Sequence, residues 1–148
     1  MILLKPTLDD DLREIAAWIG QDPFHKEQAA DWWLTGTVCL FAAKVVDKIG
    51  TFAYAKVEEE GDGYRLHSQF PPEETVSKLR IAKGTIEFVR MLASVARQNG
   101  KKFIITESEN PPLVGFLKKL GFKEAAANNE WQLSMEQVCA DPQHLRKT

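Results

Sequence analysis

The stretch Asn110 to Phe122, NPPLVGFLKKLGF, decides how the rest of the chain is read. An asparagine side chain can accept from the N–H groups of a first helical turn, so Asn110 opens a helix. Gly121 supplies the left-handed residue that closes it, and Phe122 turns the chain back toward a core. Immediately upstream, Phe103 to Thr106 is a short, continuous apolar run of the kind buried in the middle of a sheet. Downstream, Phe122 to Met135 alternates around Trp131 and Leu133 and reads as a hairpin.

Working outward, the longest helix spans Ser77 or Arg80 to Gln98, with Ile86, Val89, Leu92, Val95 and Ala96 on its apolar face and Asn99-Gly100 as its stop. Before it, Thr37 to Val46 and Thr51 to Glu58 form a hairpin across Asp47-Lys48. Glu58 to Gly63 (EEEGDG) is a second turn and Tyr64 to Phe70 a further strand, ended by Pro71-Pro72 because proline cannot donate to a ladder. The chain opens with a strand at Ile2 to Pro6. Asp9, Asp10 and Asp11 then suit a helix N-terminus, and Leu12, Ile15, Ala16 and Ile19 follow at helical spacing. Asp22-Pro23 breaks the chain before a second helix over Lys26 to Leu34, which carries Trp32 and Trp33. The order is β-α-α-β-β-β-α-β-α-β-β, an α+β architecture (an α/β sandwich) with a βαβ-like second half. Residues 1–140 are expected to make one domain and 141–148 a polar tail.

Composition narrows the function classes. At 148 residues with 44% apolar side chains and four tryptophans, one core without disulfide staples is expected. Cys39 and Cys139 match no metal or redox spacing, and Cys39 lies in an apolar run that reads as core. No metal site is expected. The formal charge of -2 and the scattered basic residues leave no stripe for phosphate backbones, so nucleic acid is not an expected partner. Neither a signal peptide nor an apolar stretch of roughly 20 residues is evident, so no membrane partner is expected and the expected location is the cytoplasm.

The element order, together with Asn110 and the closing Lys119-Leu120-Gly121-Phe122, resembles the GNAT superfamily of N-acetyltransferases over roughly Ile2 to Met135. That resemblance implies a mixed, mostly antiparallel central sheet of six to seven strands with four helices, the fourth and fifth strands splayed apart. It also implies acetyl-CoA as co-substrate and direct transfer of an acetyl group to a small-molecule or protein amine, and it allows a homodimer. The family's pyrophosphate loop, Gln/Arg-x-x-Gly-x-Gly/Ala, corresponds to Arg80-Ile81-Ala82-Lys83-Gly84-Thr85. Arg80 fits, Gly84 is displaced by one position, and Lys83 and Thr85 stand where small residues are usual.

The oxyanion donor implied by the family is a backbone N–H around Ser68 to Phe70. The implied cofactor contacts are therefore Gln69, Phe70, Arg80, Lys83, Gly84, Thr85 and Asn110. The candidate bases are His67, Glu107 and Ser108. His67 alternates with Arg65 and Gln69, which also suits an ordinary polar sheet face. The tyrosine that usually protonates the leaving thiolate is replaced by Leu117. A thiol of pKa about 8.5 can leave unprotonated near neutrality for roughly 2 kcal/mol. Leu117 and the segment Phe116 to Phe122 also resemble small GNAT-like proteins of tailed bacteriophages, some of them virion components. A catalytically silent binding or assembly module is thus the alternative to an enzyme.

Overall fold

The computed structural model describes residues 2–22, 29–34, 40–72, 76–108, 111–125 and 129–135. Cys39, Cys139, His25, Asn110, His144 and the expected tail lie outside them. Seven strands form a sheet in the order β1-β2-β3-β4-β5-β7-β6. They are β1 (Leu3–Pro6), β2 (Phe41–Val46), β3 (Thr51–Glu60), β4 (Gly63–Gln69), β5 (Phe103–Glu107), β6 (Lys123–Glu124) and β7 (Glu130–Ser134). The pairing of β4 with β5 is parallel, whereas β1–β2, β2–β3, β5–β7 and β6–β7 are antiparallel. Three α-helices occur among the described residues: α1 (Leu12–Gly20), α2 (Lys78–Gln98) and α3 (Pro111–Leu120).

This is the expected α+β fold, with differences of detail. The tryptophan pair sits in a 3-10 turn, Ala30–Trp33, and not in a longer helix across the described part of that segment. It is closed by Trp32 N to Ala29 O and Leu34 N to Asp31 O. Its two consecutive rings pack edge to face, 86° apart. The acidic turn is shorter than expected, because β3 runs on to Glu60 and only Gly61-Asp62 connect it to β4. On α1 Ile15 and Ile19 are buried while Ala16 is exposed. On α2 the buried stripe runs Ile86, Phe88, Val89, Leu92, Ala93 and Ala96, while Val95 is 38% exposed.

The chain divides into two compact units, one of Met1–Glu58 with His67–Gly84, the other of Glu59–Leu66 with Thr85–Thr148. In the first, Ile15, Ile19, Trp33 and Tyr54 make a buried cluster flanked by Trp18, Ala30 and Trp32. β3 is buried continuously from Phe52 to Val57. A bulge interrupts its pairing with β2: Val45 faces Ala53 and Val46 faces Thr51, so Phe52 is the extra residue. The Phe52 ring lies against Gly84 of α2, where any Cβ would overlap it.

One helical turn earlier, Arg80 clasps the β2–β3 turn. Its Nε donates to Asp47 Oδ2 at 2.6 Å, and Nη2 donates to Asp47 Oδ1 at 2.8 Å and to the Gly50 carbonyl at 3.0 Å. Asp47 Oδ1 also accepts from the N–H groups of Ile49 and Gly50. The Arg80 hydrogen bond holds the Asp47 carboxyl well below the usual carboxylate range, against the opposing effect of burial.

In the second unit, β4 runs parallel to β5 from Gly63↔Phe103 to Leu66↔Thr106, and the Thr106 hydroxyl donates to the Leu66 carbonyl. The stretch that opened the sequence reading ends as expected. Gly121 has φ 103°, and Phe122 N donates to the Leu117 carbonyl. Phe122 is buried beyond it.

Two outcomes follow. Gly84→Ala gains about 1 kcal/mol of helix propensity. It also overpacks a buried ring, at about 1–3 kcal/mol, so the melting temperature should drop by a few degrees. Adding Phe52→Leu should relieve that loss, and a rise for Gly84→Ala alone would contradict the contact. The second outcome concerns acid. A depressed native carboxyl contributes stability that is complete above its unfolded pKa, about 4, and is lost as the pH falls toward its native value. Melting curves below pH 4 should therefore fall more steeply for the wild type than for Asp47→Asn, which should start lower.

Candidate active site

The last residues of β4 carry the most concentrated chemistry. His67 Nε2 lies 2.6 Å from Glu58 Oε1, and both side chains are partly open to water. The imidazole meets the edge of the Trp32 indole at 4.7 Å between ring centres. Lys56, two residues before Glu58 on β3, is buried, with its ammonium 3.8 Å over the Trp32 ring and donating to the Trp32 carbonyl at 3.0 Å. A carboxylate on one ring nitrogen fixes the imidazole tautomer and steadies the charge it acquires on protonation. This pair can take up a proton next to an aromatic wall.

Neither Glu58 nor Trp32 is legible as a partner of His67 while EEEGDG is read as a loop. Moving the hairpin tip to Gly61-Asp62 puts Glu58 and His67 on facing arms, and that was the available signal.

Gln69 is fully buried, and its Nε2 donates to Asp22 Oδ2 and to the Phe70 carbonyl, each at 3.0 Å. The peptide after β4 is thus held by a side chain from within the strand. Phe70 is half-buried just past the end of β4.

The segment Arg80 to Thr85 lies inside α2, which begins at Lys78. Ser77 caps the helix: its Oγ accepts from Arg80 N at 3.2 Å. The backbone N–H groups of Lys83, Gly84 and Thr85 fall in the second turn, where intrahelical bonds occupy them. The open side of Gly84 is taken by Phe52, so this glycine makes room for a ring and does not form a cradle. What the segment offers an anion is charge: the first N–H groups of α2 and the exposed side chains of Lys78 and Lys83, with half-buried Thr85 beside them. The fit to a diphosphate is therefore electrostatic.

Glu107 and Ser108 lie in the other unit. Glu107 is largely exposed, 4.0 Å from Arg65 Nη1. Arg65 also binds Glu60 at 2.7 Å and Glu130 at 2.6 Å. Those hydrogen bonds, Glu60 first, raise its pKa. Ser108 is buried and its N–H donates to the Asn129 carbonyl at 2.9 Å. Leu117 is buried in α3 and brings no acid. Tyr64 is core, its hydroxyl accepting from Asn99 Nδ2 at 2.6 Å. Among the described residues no group of histidine, cysteine and carboxylate side chains could hold a metal ion, and no helix is long and apolar enough to cross a membrane.

No family model matches the sequence, and no curated protein matches it. Solved structures do resemble it. An aminoglycoside acetyltransferase in complex with coenzyme A gives a TM-score of 0.72 at 11% identity, covering 96% of this chain and 99% of the other. An acetyltransferase of the GNAT family from Staphylococcus aureus gives 0.66 at 8% identity, over 91% and 99%. The ribosomal-protein-S18-alanine N-acetyltransferase from Escherichia coli gives 0.61 at 15% identity, over 91% and 94%. At such identities the likeness is one of architecture, and it agrees with the strand order and the lone parallel pairing among those described above. By the course of its backbone, this chain has the GNAT acetyltransferase fold.

Proposed function

We propose that the chain is an acetyl-CoA-dependent N-acetyltransferase that transfers its acetyl group to a small-molecule or protein amine. The fold provides the background, including a similar structure with coenzyme A bound. A fold alone carries no chemistry. The observation that carries the reading is the His67–Glu58 pair at the end of β4, 2.6 Å apart and beside Trp32.

In this reading His67 takes a proton from the acceptor ammonium, and Glu58 holds the ring and stabilises the imidazolium. The freed amine attacks the thioester carbonyl, the C–S bond breaks as the adduct collapses, and the second proton on nitrogen passes to water. Backbone N–H groups in Ser68 to Phe70 face the developing oxyanion, and the Gln69 amide holds that stretch by binding the Phe70 carbonyl. Lys83 reaches the diphosphate through its side chain, while Thr85 and Asn110 stay cofactor contacts that the resemblance alone implies. Bound acetyl-CoA supplies an activated acyl group whose thiol is acidic enough to leave as thiolate, at roughly 2 kcal/mol near neutrality. We place the base at His67 and not at Glu107 or Ser108, because His67 stands against the Glu58 carboxylate and Glu107 stands in the Arg65 network.

The second reading is a silent binding or assembly module, such as a virion component of a tailed bacteriophage. One observation favours it: buried Leu117 stands where the resemblance puts the acid.

The melting temperature with and without millimolar acetyl-CoA separates the two, with ATP as the anionic control. Ligand at a hundredfold over its Kd stabilises by about 2.7 kcal/mol, a rise of roughly 5–10 °C for a domain of this size. A rise confined to acetyl-CoA supports the transferase. No rise, or an equal rise with ATP, favours the silent module. In an acceptor screen, His67→Ala should lower kcat/KM by about 10²–10⁴ while leaving the acetyl-CoA shift intact. An unchanged rate would move the base elsewhere.

A further inference from the structure

We infer that Arg80 is a positioning residue: with Asp47 it clamps the start of α2 to the β2–β3 turn, and it is not itself a phosphate ligand. In the family motif an arginine at this position would be counted among the cofactor contacts. Here Nε and Nη2 are already directed elsewhere. Nε and Nη2 grip both oxygens of Asp47 at 2.6 and 2.8 Å, and Nη2 also reaches the Gly50 carbonyl at 3.0 Å. The planar guanidinium matches a carboxylate bidentately, which fixes orientation as well as charge. Its side chain is only 16% exposed and that of Asp47 17%. The guanidinium carbon also lies 5.8 Å from the centre of the Phe52 ring.

Asp47 is equally committed. Oδ1 accepts from Ile49 N at 2.9 Å and Gly50 N at 3.1 Å, so the carboxylate shapes the turn that it presents to Arg80. One turn along the helix, Gly84 meets Phe52, the bulged residue of β3. The first two turns of α2 are thus pinned twice to one β-hairpin, by an ion pair at residue 80 and by a ring at residue 84. Turning Nε and Nη2 onto a phosphate would release the turn, the helix start and a partly buried carboxylate together. Holding Arg80 in place fixes the direction in which the first N–H groups of α2 and the Lys78 and Lys83 side chains meet an anion.

The consequence for ligand rests on the transferase reading; the clamp itself does not. The two roles for Arg80 predict opposite signs for Asp47→Ala. If Arg80 positions the helix, Asp47→Ala and Arg80→Ala should each weaken acetyl-CoA binding, by about three- to thirtyfold, and the double variant should be no worse than the weaker single. If Arg80 is a ligand that Asp47 merely restrains, Asp47→Ala should tighten binding while Arg80→Ala weakens it, and the inference is overturned. Asp47→Asn, which keeps an oxygen for the Ile49 and Gly50 N–H groups, serves where Asp47→Ala does not fold.

The same variants without ligand give an independent reading. Losses in melting temperature should be markedly less than additive in the double variant. Additive losses would overturn the clamp. Should wild-type protein show no response to acetyl-CoA, the transferase reading falls and the ligand-free cycle alone decides the clamp.

Discussion

Phe52 to Val57 are six consecutive residues of β3 withdrawn from water, and every polar atom they carry must find a partner inside the protein. The Tyr54 hydroxyl donates to Glu14 on α1 at 2.6 Å. Burial first, and then that carboxylate, raise the Tyr54 pKa, so it remains a neutral donor. Lys56 reaches the Trp32 carbonyl and the face of its ring. Glu58, where β3 emerges, meets His67. The elements of the first unit thus meet β3 through polar contacts as well as through the buried apolar cluster. The candidate proton-transfer pair sits where burial gives way to solvent. A base needs both conditions: enough protein around it to fix its geometry, and enough water to exchange its proton.

Among the described residues of the first unit, Arg80 pairs with Asp47, Lys44 with Asp11 and, when protonated, His67 with Glu58. In the second, Arg65 collects Glu60, Glu130 and, more distantly, Glu107. A partly buried guanidinium with several carboxylates loses less side-chain entropy per contact than isolated pairs would, since one ordered cation serves them all. It also makes Arg65 an organiser of its surroundings.

Much of the architecture was legible because its signals are local. Gly121 after Lys118-Lys119-Leu120 can hardly be anything but a helix end, and Phe103 to Thr106 is too short and too apolar for anything but a central strand. The order of elements followed from such punctuation. The tryptophan pair misled, because two adjacent large side chains satisfy a helical pattern and a tight 3-10 turn equally well. The hairpin tip misled because three glutamates look like a loop although their backbone continues the ladder. The site was less legible for a related reason. His67 gains its meaning from Glu58 and Trp32, which belong to other elements. Arg80 fitted a motif by position, and only its partners reveal that Nε and Nη2 of its guanidinium are already engaged. Spacing along a chain reports what a residue could do, whereas neighbours across the fold report what it is free to do.

The bulge in β3 bears on how such a chain can change by descent. Phe52 is one residue more than the ladder with β2 requires, and Gly84 is a helix position lacking a side chain. The two are complementary: an added residue on one element fills the space vacated on another. A lineage that lost Phe52 would regain a regular ladder without shifting any other residue to the opposite face, since the pairs on either side of the bulge are already in phase. It would then have room for a side chain at position 84. Length in the hairpin and volume in the helix are therefore coupled in this chain, through two positions more than thirty residues apart.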